Sequence, residues 1–113
     1  MHELSLCENL LQIIEQNIAG QPCRQVKTVY LEIGTLSCVD PQALSFCFNI
    51  VMQNSIAADA QLQIDTVLAS GYCDRCQHQQ RVSQRYAQCA VCGHAPLQVS
   101  GGDSLRITQL EIE

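Results

Sequence analysis

Two CxxC pairs, separated by twelve residues, constrain this chain more than any other feature of its sequence. Cys73 and Cys76 form the first pair, and Cys89 and Cys92 form the second. Each pair places two sulfur atoms on one tight turn, and four thiolates at about 2.3 Å complete the tetrahedral shell of a zinc ion. Gly93 follows the second pair, where the backbone of such a turn often needs a positive φ. The spacing predicts a four-cysteine metal site, with zinc favoured and iron as the alternative.

Such a site is coordinatively closed, which limits its chemistry. Four cysteine ligands leave no position for water or substrate, so the predicted role is structural rather than hydrolytic. A thioredoxin-like role would need one pair at a strand-to-helix junction, and neither pair has that context. The segment 70–98 around the pairs has little apolar periodicity, so metal binding would supply most of its folding free energy. We predict a zinc-ribbon-like subdomain, inserted into the chain at residues 70–98.

Both helices of the remaining chain can be predicted from their end signals. Residues 4–19 show the spacing of an amphipathic helix. Ser5 and Glu8 match a capping box, although the helix could start one turn earlier. With the capping box as the start, His2 and Glu3 lie exposed just outside the first turn. Gly20 and Pro22 end this helix. A second helix begins at Asp40–Pro41, with Asp as the N-cap and Pro at the first helical position, and ends near Asn54.

Three strands follow from alternating apolar residues. They cover residues 26–34, 62–67 and 105–112, and the alternation of the last strand slips between Ile107 and Leu110, which indicates a bulge. With the insertion removed, the order is helix, strand, helix, strand, strand. The prediction is an α+β fold: a small helix-on-sheet domain with two helices and a three-stranded sheet, built from residues 1–69 and 99–113, with the four-cysteine subdomain inserted.

The charge of the chain argues against several functions. The net charge of −5 is the sum of +2 on residues 70–98 and −7 on the remaining residues. An acidic total without a basic-aromatic stripe opposes a nucleic-acid-binding zinc ribbon, although the cysteine pairs and three arginines favour one. A zinc hydrolase would need a carboxylate–histidine pair near an open metal. A thiol oxidoreductase would need one CxxC pair to cycle without zinc.

The cysteine content fits a reducing compartment. The N-terminus has no basic start, Glu8 and Gln12 interrupt its apolar run, and no stretch approaches the roughly 20 apolar residues of a membrane span. We therefore expect a cytoplasmic protein, in which eight cysteines favour metal ligation over disulfides. Cys7 and Cys47 fall on apolar helix faces as small buried residues. These two cysteines, together with Cys23 and Cys38, have no metal spacing among themselves. Cys38 follows the first strand in a loop, where it could be either a buried or a reactive thiol.

The opening residues MHEL form a second candidate metal site. Met1 should be retained because His2 is too large a second residue for its removal. The Met1 amine, the His2 backbone nitrogen and the His2 imidazole can then bind one metal in a plane, an arrangement typical of Cu(II) or Ni(II). Glu3 could orient the imidazole or approach the metal, and His78 or His94 could fill the fourth corner. The alternative is that His2 merely belongs to the entry of a helix.

Four stretches carry a family resemblance over essentially the whole chain. They are the opening MHELSLC, the strand YLEIGTLSCVD, the paired CxxC motifs and the closing GDSLRITQLEIE, in that order. Together they resemble the HypA/HybF family of nickel metallochaperones for [NiFe]-hydrogenase maturation. The opening and the GDSL segment look closer to the HybF branch. The segment CAVCGH lacks a proline that often occurs in the second pair, but no ligand is lost.

The resemblance implies a role for each candidate site. It implies nickel as cargo, bound by His2 as the main ligand with the Met1 amine, and with Glu3 in support. It implies structural zinc on Cys73, Cys76, Cys89 and Cys92. The expected protein is not an enzyme. Its expected partners are a maturation GTPase of the HypB type and the hydrogenase large-subunit precursor, which receives nickel after its iron centre. A homodimer is compatible with these expectations, whereas nucleic acid and membrane partners are not expected.

Overall fold

The computed structural model describes residues 3–113, and Met1 and His2 lie outside the described residues. Two helices, α1 (Glu3–Ile18) and α2 (Pro41–Val51), accompany six strands, which are β1 (Val26–Gly34), β2 (Gln61–Val67), β3 (Ala69–Cys73), β4 (His78–Val82), β5 (Gln98–Ser100) and β6 (Leu105–Ile112). The strands form two three-stranded sheets, ordered β2-β1-β6 and β4-β3-β5. The predicted α+β class is confirmed.

The chain divides into two compact units. The first comprises residues 3–31, 39–65 and 106–113, and the second comprises residues 32–38 and 66–105. The second unit therefore includes the whole of the predicted insertion 70–98, together with flanking residues and a short piece that follows β1. The assignment of a nickel-binding domain and a zinc-binding domain to particular segments stays a prediction.

In the first unit, the two helices pack against each other through their apolar faces. The thiol of Cys7 in α1 donates to the carbonyl oxygen of Leu44 in α2, with Sγ and O 3.5 Å apart. Helix α2 begins as predicted, because the Asp40 carboxylate accepts from the backbone N–H of Gln42 at 3.0 Å. It ends at Val51, earlier than the predicted end near Asn54.

The N-terminal part of α1 corrects one prediction. Glu3 belongs to the helix and is half-buried, so its predicted place outside the first turn was wrong, and Ser5 is an exposed helical residue rather than the N-cap. The reason is that the buried face continues toward the N-terminus. Leu6 is half-buried and Cys7 fully buried, three and four residues after Glu3, so packing extends the helix beyond the capping-box signal. The opposite end is as predicted, with Gly20 at φ +80°.

The three predicted strands are confirmed as β1, β2 and β6. Strand β6 is continuous, but its burial alternation slips where a bulge was predicted. Ile107 and Leu110 are half-buried, and both residues between them are exposed. In β1, Thr28 is buried although it alternates with the apolar residues of that strand. None of the helices in the described part of the chain is long and apolar enough to cross a membrane.

The second unit contains three strands that the periodicity did not predict. β4 and β5 flank β3 in antiparallel register, with Cys73 opposite His78 and Tyr72 opposite Gln98. The unit has a small apolar core, whose buried members are Leu36, Ala69, Cys73, Val82, Cys89 and Leu97. Two of the six are cysteines of the predicted metal site, so this core consists partly of metal ligands.

The turn after β1 supplies Leu36 to this core. The backbone N–H groups of Gly34 and Leu36 donate to the carbonyl oxygens of Ser104 and Gly102, at 2.8 and 2.7 Å. The contact is so close that a Cβ atom on Gly34 would lie 2.0 Å from the Gly102 oxygen. Glycine is therefore required at position 34, where two backbone segments of the second unit meet.

Candidate metal centre

The four predicted cysteine ligands converge in the second unit. Their sulfur atoms all lie within 4.8 Å of one another. Cys73 and Cys92 have their sulfurs 3.6 Å apart, and Cys76 and Cys89 have theirs 3.5 Å apart. A tetrahedron with metal–sulfur bonds of about 2.3 Å has sulfur–sulfur edges of about 3.8 Å. The four side chains therefore fit a single zinc-sized ion.

Two turns with the same backbone geometry hold these sulfurs. Cys73 ends β3, and the turn to β4 passes through Cys76 and then Gln77, which has φ +54°. In the second turn Gly93 follows Cys92 with φ +74°, and its N–H donates to the Cys89 carbonyl oxygen at 2.8 Å. A positive φ thus follows each CxxC pair, and only the second turn uses glycine there.

Several N–H groups point at the sulfur of Cys89. The backbone N–H groups of Val91 and Cys92 donate to it at 3.4 and 3.5 Å, and the Gln80 side-chain amide donates at 3.5 Å. The Cys92 N–H, followed by the Gln80 amide, lowers the pKa of Cys89 to about 5. These donors favour the thiolate form of Cys89, which is the form that binds metals.

The neighbouring sulfur behaves in the opposite way. The hydrogen bond shared with Cys89, together with burial, raises the pKa of Cys76 to about 12. The two pKa values shift in opposite directions because the shared hydrogen bond favours a single negative charge on the pair. A bound cation displaces the proton that remains on the pair, so metal affinity at this site should fall in acid.

The remaining predicted ligands are placed only in part. Of the three predicted nickel ligands, the structure describes Glu3 alone, in the first turn of α1, and Met1 and His2 lie outside the described residues. His78 is exposed at the start of β4. His94 is half-buried, and its backbone carbonyl accepts from the Cys89 N–H at 2.9 Å. Both histidines belong to the second unit.

The other cysteines do not form a second cluster. Cys7 is fully buried, as predicted, and burial, with Cys47 and Glu3 nearby, raises its pKa to about 11. Cys47, which was also predicted to be buried, is only half-buried, as is Cys23, and Cys38 is exposed. Within residues 3–113, the four cysteines of the cage are the one group of three or more metal-ligating side chains close enough to share an ion.

Gln80 contacts the cysteine cage, and no sequence motif indicated this contact. It belongs to no CxxC pair, and it reaches Cys89 because β4 places it opposite Gly71, between the buried residues of β3. A glutamine in a polar strand gives no signal of this kind. Only the register of the hairpin could have identified it.

Comparisons with known proteins agree with this architecture. A family model described as "HypA: Hydrogenase/urease nickel incorporation, metallochaperone" matches residues 1–112. The hydrogenase maturation factor HypA of Acidithiobacillus ferrooxidans (strain ATCC 53993 / BNL-5-31) is 47% identical over 113 residues, covering 100% of both chains. The protein of the same name from Rhodopseudomonas palustris (strain BisA53) is 45% identical with the same coverage.

Solved structures show the same fold. The solution structure of the Ni metallochaperone HypA from Helicobacter pylori has a TM-score of 0.69 at 24% identity, covering 99% of this chain and 97% of that one. A second solution structure, of a HypA protein, has a TM-score of 0.70 at 23% identity, covering 100% and 97%. The family description includes urease, which the resemblance read from the sequence did not. The HybF branch stays a prediction. With its whole length matched, this chain belongs to the HypA family of hydrogenase/urease nickel-incorporation metallochaperones.

Proposed function

We propose that this protein binds Ni(II) at its N-terminus and helps to insert it into the large subunit of [NiFe]-hydrogenase, while zinc in the four-cysteine cage has a structural role. The observation that carries the proposal is the family match over residues 1–112, which extends from the MHEL opening to the last strand. The match therefore includes both the proposed nickel-binding opening and the four-cysteine segment.

The proposed nickel site combines a terminal chelate with one helical carboxylate. The Met1 amine, the His2 amide nitrogen and the His2 imidazole are nitrogen donors, which suit square-planar Ni(II) better than zinc. Glu3, as a supporting ligand, belongs to the first turn of α1. A carboxylate that is fixed by a helix can orient a neighbouring imidazole or contact the metal directly.

The proposed zinc role rests on the donor set and its setting. Four cysteine sulfurs leave no open coordination position, and a closed site is structural. Two of the four, Cys73 and Cys89, are buried members of the small core of the second unit. Zinc would therefore contribute directly to the stability of that unit.

The proposed nickel site can be tested through its first ligand atom, the amine nitrogen of Met1. We would compare nickel affinity, the square-planar absorption band and the pH dependence of binding between the native chain and a chain with a short N-terminal extension. Loss of all three in the extended chain is expected, because its nitrogen at position 1 becomes an amide. Unchanged nickel binding in the extended chain would show that the amine is not a ligand.

Side-chain variants separate the two nickel ligands that follow. His2→Ala should abolish high-affinity nickel binding, and Glu3→Ala should weaken it. Glu8→Ala is the matched control for Glu3, because Glu8 is an exposed glutamate in the same helix. Zinc content should be unaltered in all three. Equal nickel affinity of the Glu3 and Glu8 variants would remove Glu3 from the site.

The proposed delivery of nickel to a hydrogenase implies partner proteins and a cellular compartment. We propose that the protein is not an enzyme, acts in the cytoplasm, and works with a maturation GTPase of the HypB type and with the hydrogenase large-subunit precursor. In cells that lack their own family member, the native chain should restore hydrogenase activity and His2→Ala should not. Urease activity, measured in parallel, tests the second target that the family description names.

Light scattering during purification gives the oligomeric state and tests the homodimer.

A further inference from the structure

The side chain of Gln80 joins strand β4 to the second cysteine turn through two contacts. Its Oε1 accepts from the Ala90 N–H at 2.9 Å, and its Nε2 donates to Cys89 Sγ at 3.5 Å. The orientation of the amide follows from the first contact, because an N–H can bond only the oxygen of a carboxamide. The nitrogen therefore faces the sulfur.

Strand geometry separates Gln80 from its neighbours. Successive side chains of a strand point to opposite faces. Gln80 is half-buried, whereas Gln79 and Arg81 are exposed. The Gln79 amide donates instead to the Ser70 hydroxyl, at 2.9 Å. Two adjacent glutamines thus have the same chemistry and different environments.

We propose that Gln80 is a positioning residue of the metal cage, which fixes the second cysteine turn through Ala90 and stabilises the negative charge on Cys89 Sγ through its amide N–H. This inference rests on the proposed zinc site. The backbone donors to Cys89, from Val91 and Cys92, belong to the turn itself and accompany any sequence that forms it. Gln80 comes from another element, so it adds a donor that the turn cannot supply.

Charge explains why this donor matters. Four thiolates around one Zn²⁺ leave a net negative cluster, and hydrogen bonds to such an anion are stronger than those between neutral groups. Partners that lie just beyond the metal ligands typically change metal affinity by about 10–100-fold when they are mutated. Removing the Gln80 N–H should make Cys89 a less stable ligand of the cage.

Substituting Gln80 with glutamate removes the N–H donor to Cys89 but keeps the contact with Ala90. Q80E keeps an oxygen acceptor for Ala90 and replaces the donor with a second oxygen that repels the thiolate. We expect zinc affinity, measured by competition with a chromogenic chelator, to fall about tenfold or more in Q80E. The sulfur-to-metal absorption of the Co(II)-substituted protein should also shift. Q79E is the matched control, with the same added charge, and should change zinc affinity less than about twofold.

The outcomes distinguish the parts of the inference. Native affinity and an unshifted Co(II) spectrum in Q80E would overturn it, because the acceptor for Ala90 alone would then suffice. Equal losses in Q80E and Q79E would also overturn it, since they would reflect charge only. Absence of zinc from the native chain would instead contradict the proposed zinc site. If Q80E takes up no zinc at all, Q80M decides, because methionine removes both contacts of Gln80 without adding a charge. A zinc affinity of Q80M below that of Q79M supports the inference, and equal affinity of the two variants contradicts it.

Discussion

At the residue scale, the two cysteine turns meet the same backbone requirement with different residues. Gly93 adopts φ +74° and has no side chain that this angle could strain, whereas Gln77 adopts φ +54° and carries a side chain. A left-handed conformation costs an L-residue roughly 1–2 kcal/mol, because its Cβ crowds the following carbonyl. The first turn is therefore the more strained, and its strain is tolerated because the paired strands β3 and β4 fix the chain on either side of it.

Exchanging these residue types should move stability in opposite directions. Gly93→Ala should destabilise the second unit by about 1 kcal/mol, and the loss is conformational because a Cβ there has no neighbour within 4 Å. Gln77→Gly should stabilise it by up to about 1 kcal/mol. Urea unfolding of the zinc-loaded variants measures both. A loss of stability in Gln77→Gly would show that the Gln77 side chain makes a contribution that its backbone angle does not reveal.

Cys7 should make stability depend on pH in the alkaline range. Its pKa is raised from 9.0 to about 11 in the folded chain, so between these values the unfolded thiol loses its proton while the folded thiol keeps it. The associated stabilisation, of the order of 2 kcal/mol, is fully present below pH 9 and is lost as the pH rises to 11. The stability difference between the native chain and Cys7→Ala should therefore be smaller at pH 10.5 than at pH 8.

Leu10→Ala is the control for this measurement. Leu10 is buried on the same face of α1 and does not titrate. Its cost, about 2–5 kcal/mol, should be the same at both pH values. If the Cys7 and Leu10 variants show parallel pH curves, the thiol proton does not contribute to stability.

At the element scale, the helices and strands that could be predicted from the sequence are those with hydrophobic periodicity. Helices α1 and α2 and strands β1, β2 and β6 bury one apolar face, and their pattern in the sequence was sufficient to predict them. Strand β4, with the sequence HQQRV, has one buried apolar residue, so it has no pattern to detect. The sequence indicated the cage through cysteine spacing, but not the strands that support it.

Two further features depended on tertiary packing. The start of α1 was predicted from a capping-box signal, and packing of Cys7 extended the helix through Glu3. Leu36 was not predicted as a core residue because it is a single apolar side chain in a turn, flanked by Thr35 and Ser37. Its burial follows from the pairing of residues 34–36 with residues 102–104, which are distant in sequence.

The glycine at the end of β1 should be essential for this pairing. Gly34→Ala should destabilise the second unit by about 3 kcal/mol or more, because the new Cβ would meet backbone atoms that cannot rotate away. Gly101→Ala is the control, because a Cβ there has no neighbour within 4 Å and costs only its left-handed φ. Chelator competition and thermal unfolding measure the loss. Similar effects of the two substitutions would contradict the close approach of Gly34 and Gly102.

At the scale of the whole molecule, the two units differ in charge and in the source of their stability. The first unit contains eight acidic and three basic residues, and the second contains three of each. The entire net negative charge thus belongs to the unit whose sequence begins with the proposed nickel ligands, which favours the approach of cations. The first unit has a larger apolar core, which includes Phe48 beside its aliphatic residues, whereas the second relies on a few apolar residues and its cysteines.

Removal of zinc should therefore affect the two units unequally. After chelation, amide hydrogen exchange in β3, β4 and β5 should accelerate by about a hundredfold, because a core of six residues, two of them ligands, cannot hold the sheet alone. Buried amides of α1 and α2 should remain protected. Uniform acceleration in both units would show that the first unit also depends on the metal.

The order of segments along the chain has a consequence for biosynthesis. Every residue of the sulfur cage and its core lies before position 106, whereas the sheet of the first unit still needs β6, the last strand of the chain. Translation proceeds from the N-terminus, so all four cysteines of the proposed zinc cage are synthesised before β6. The sheet of the first unit therefore obtains its full set of strands later in synthesis than the cage obtains its ligands.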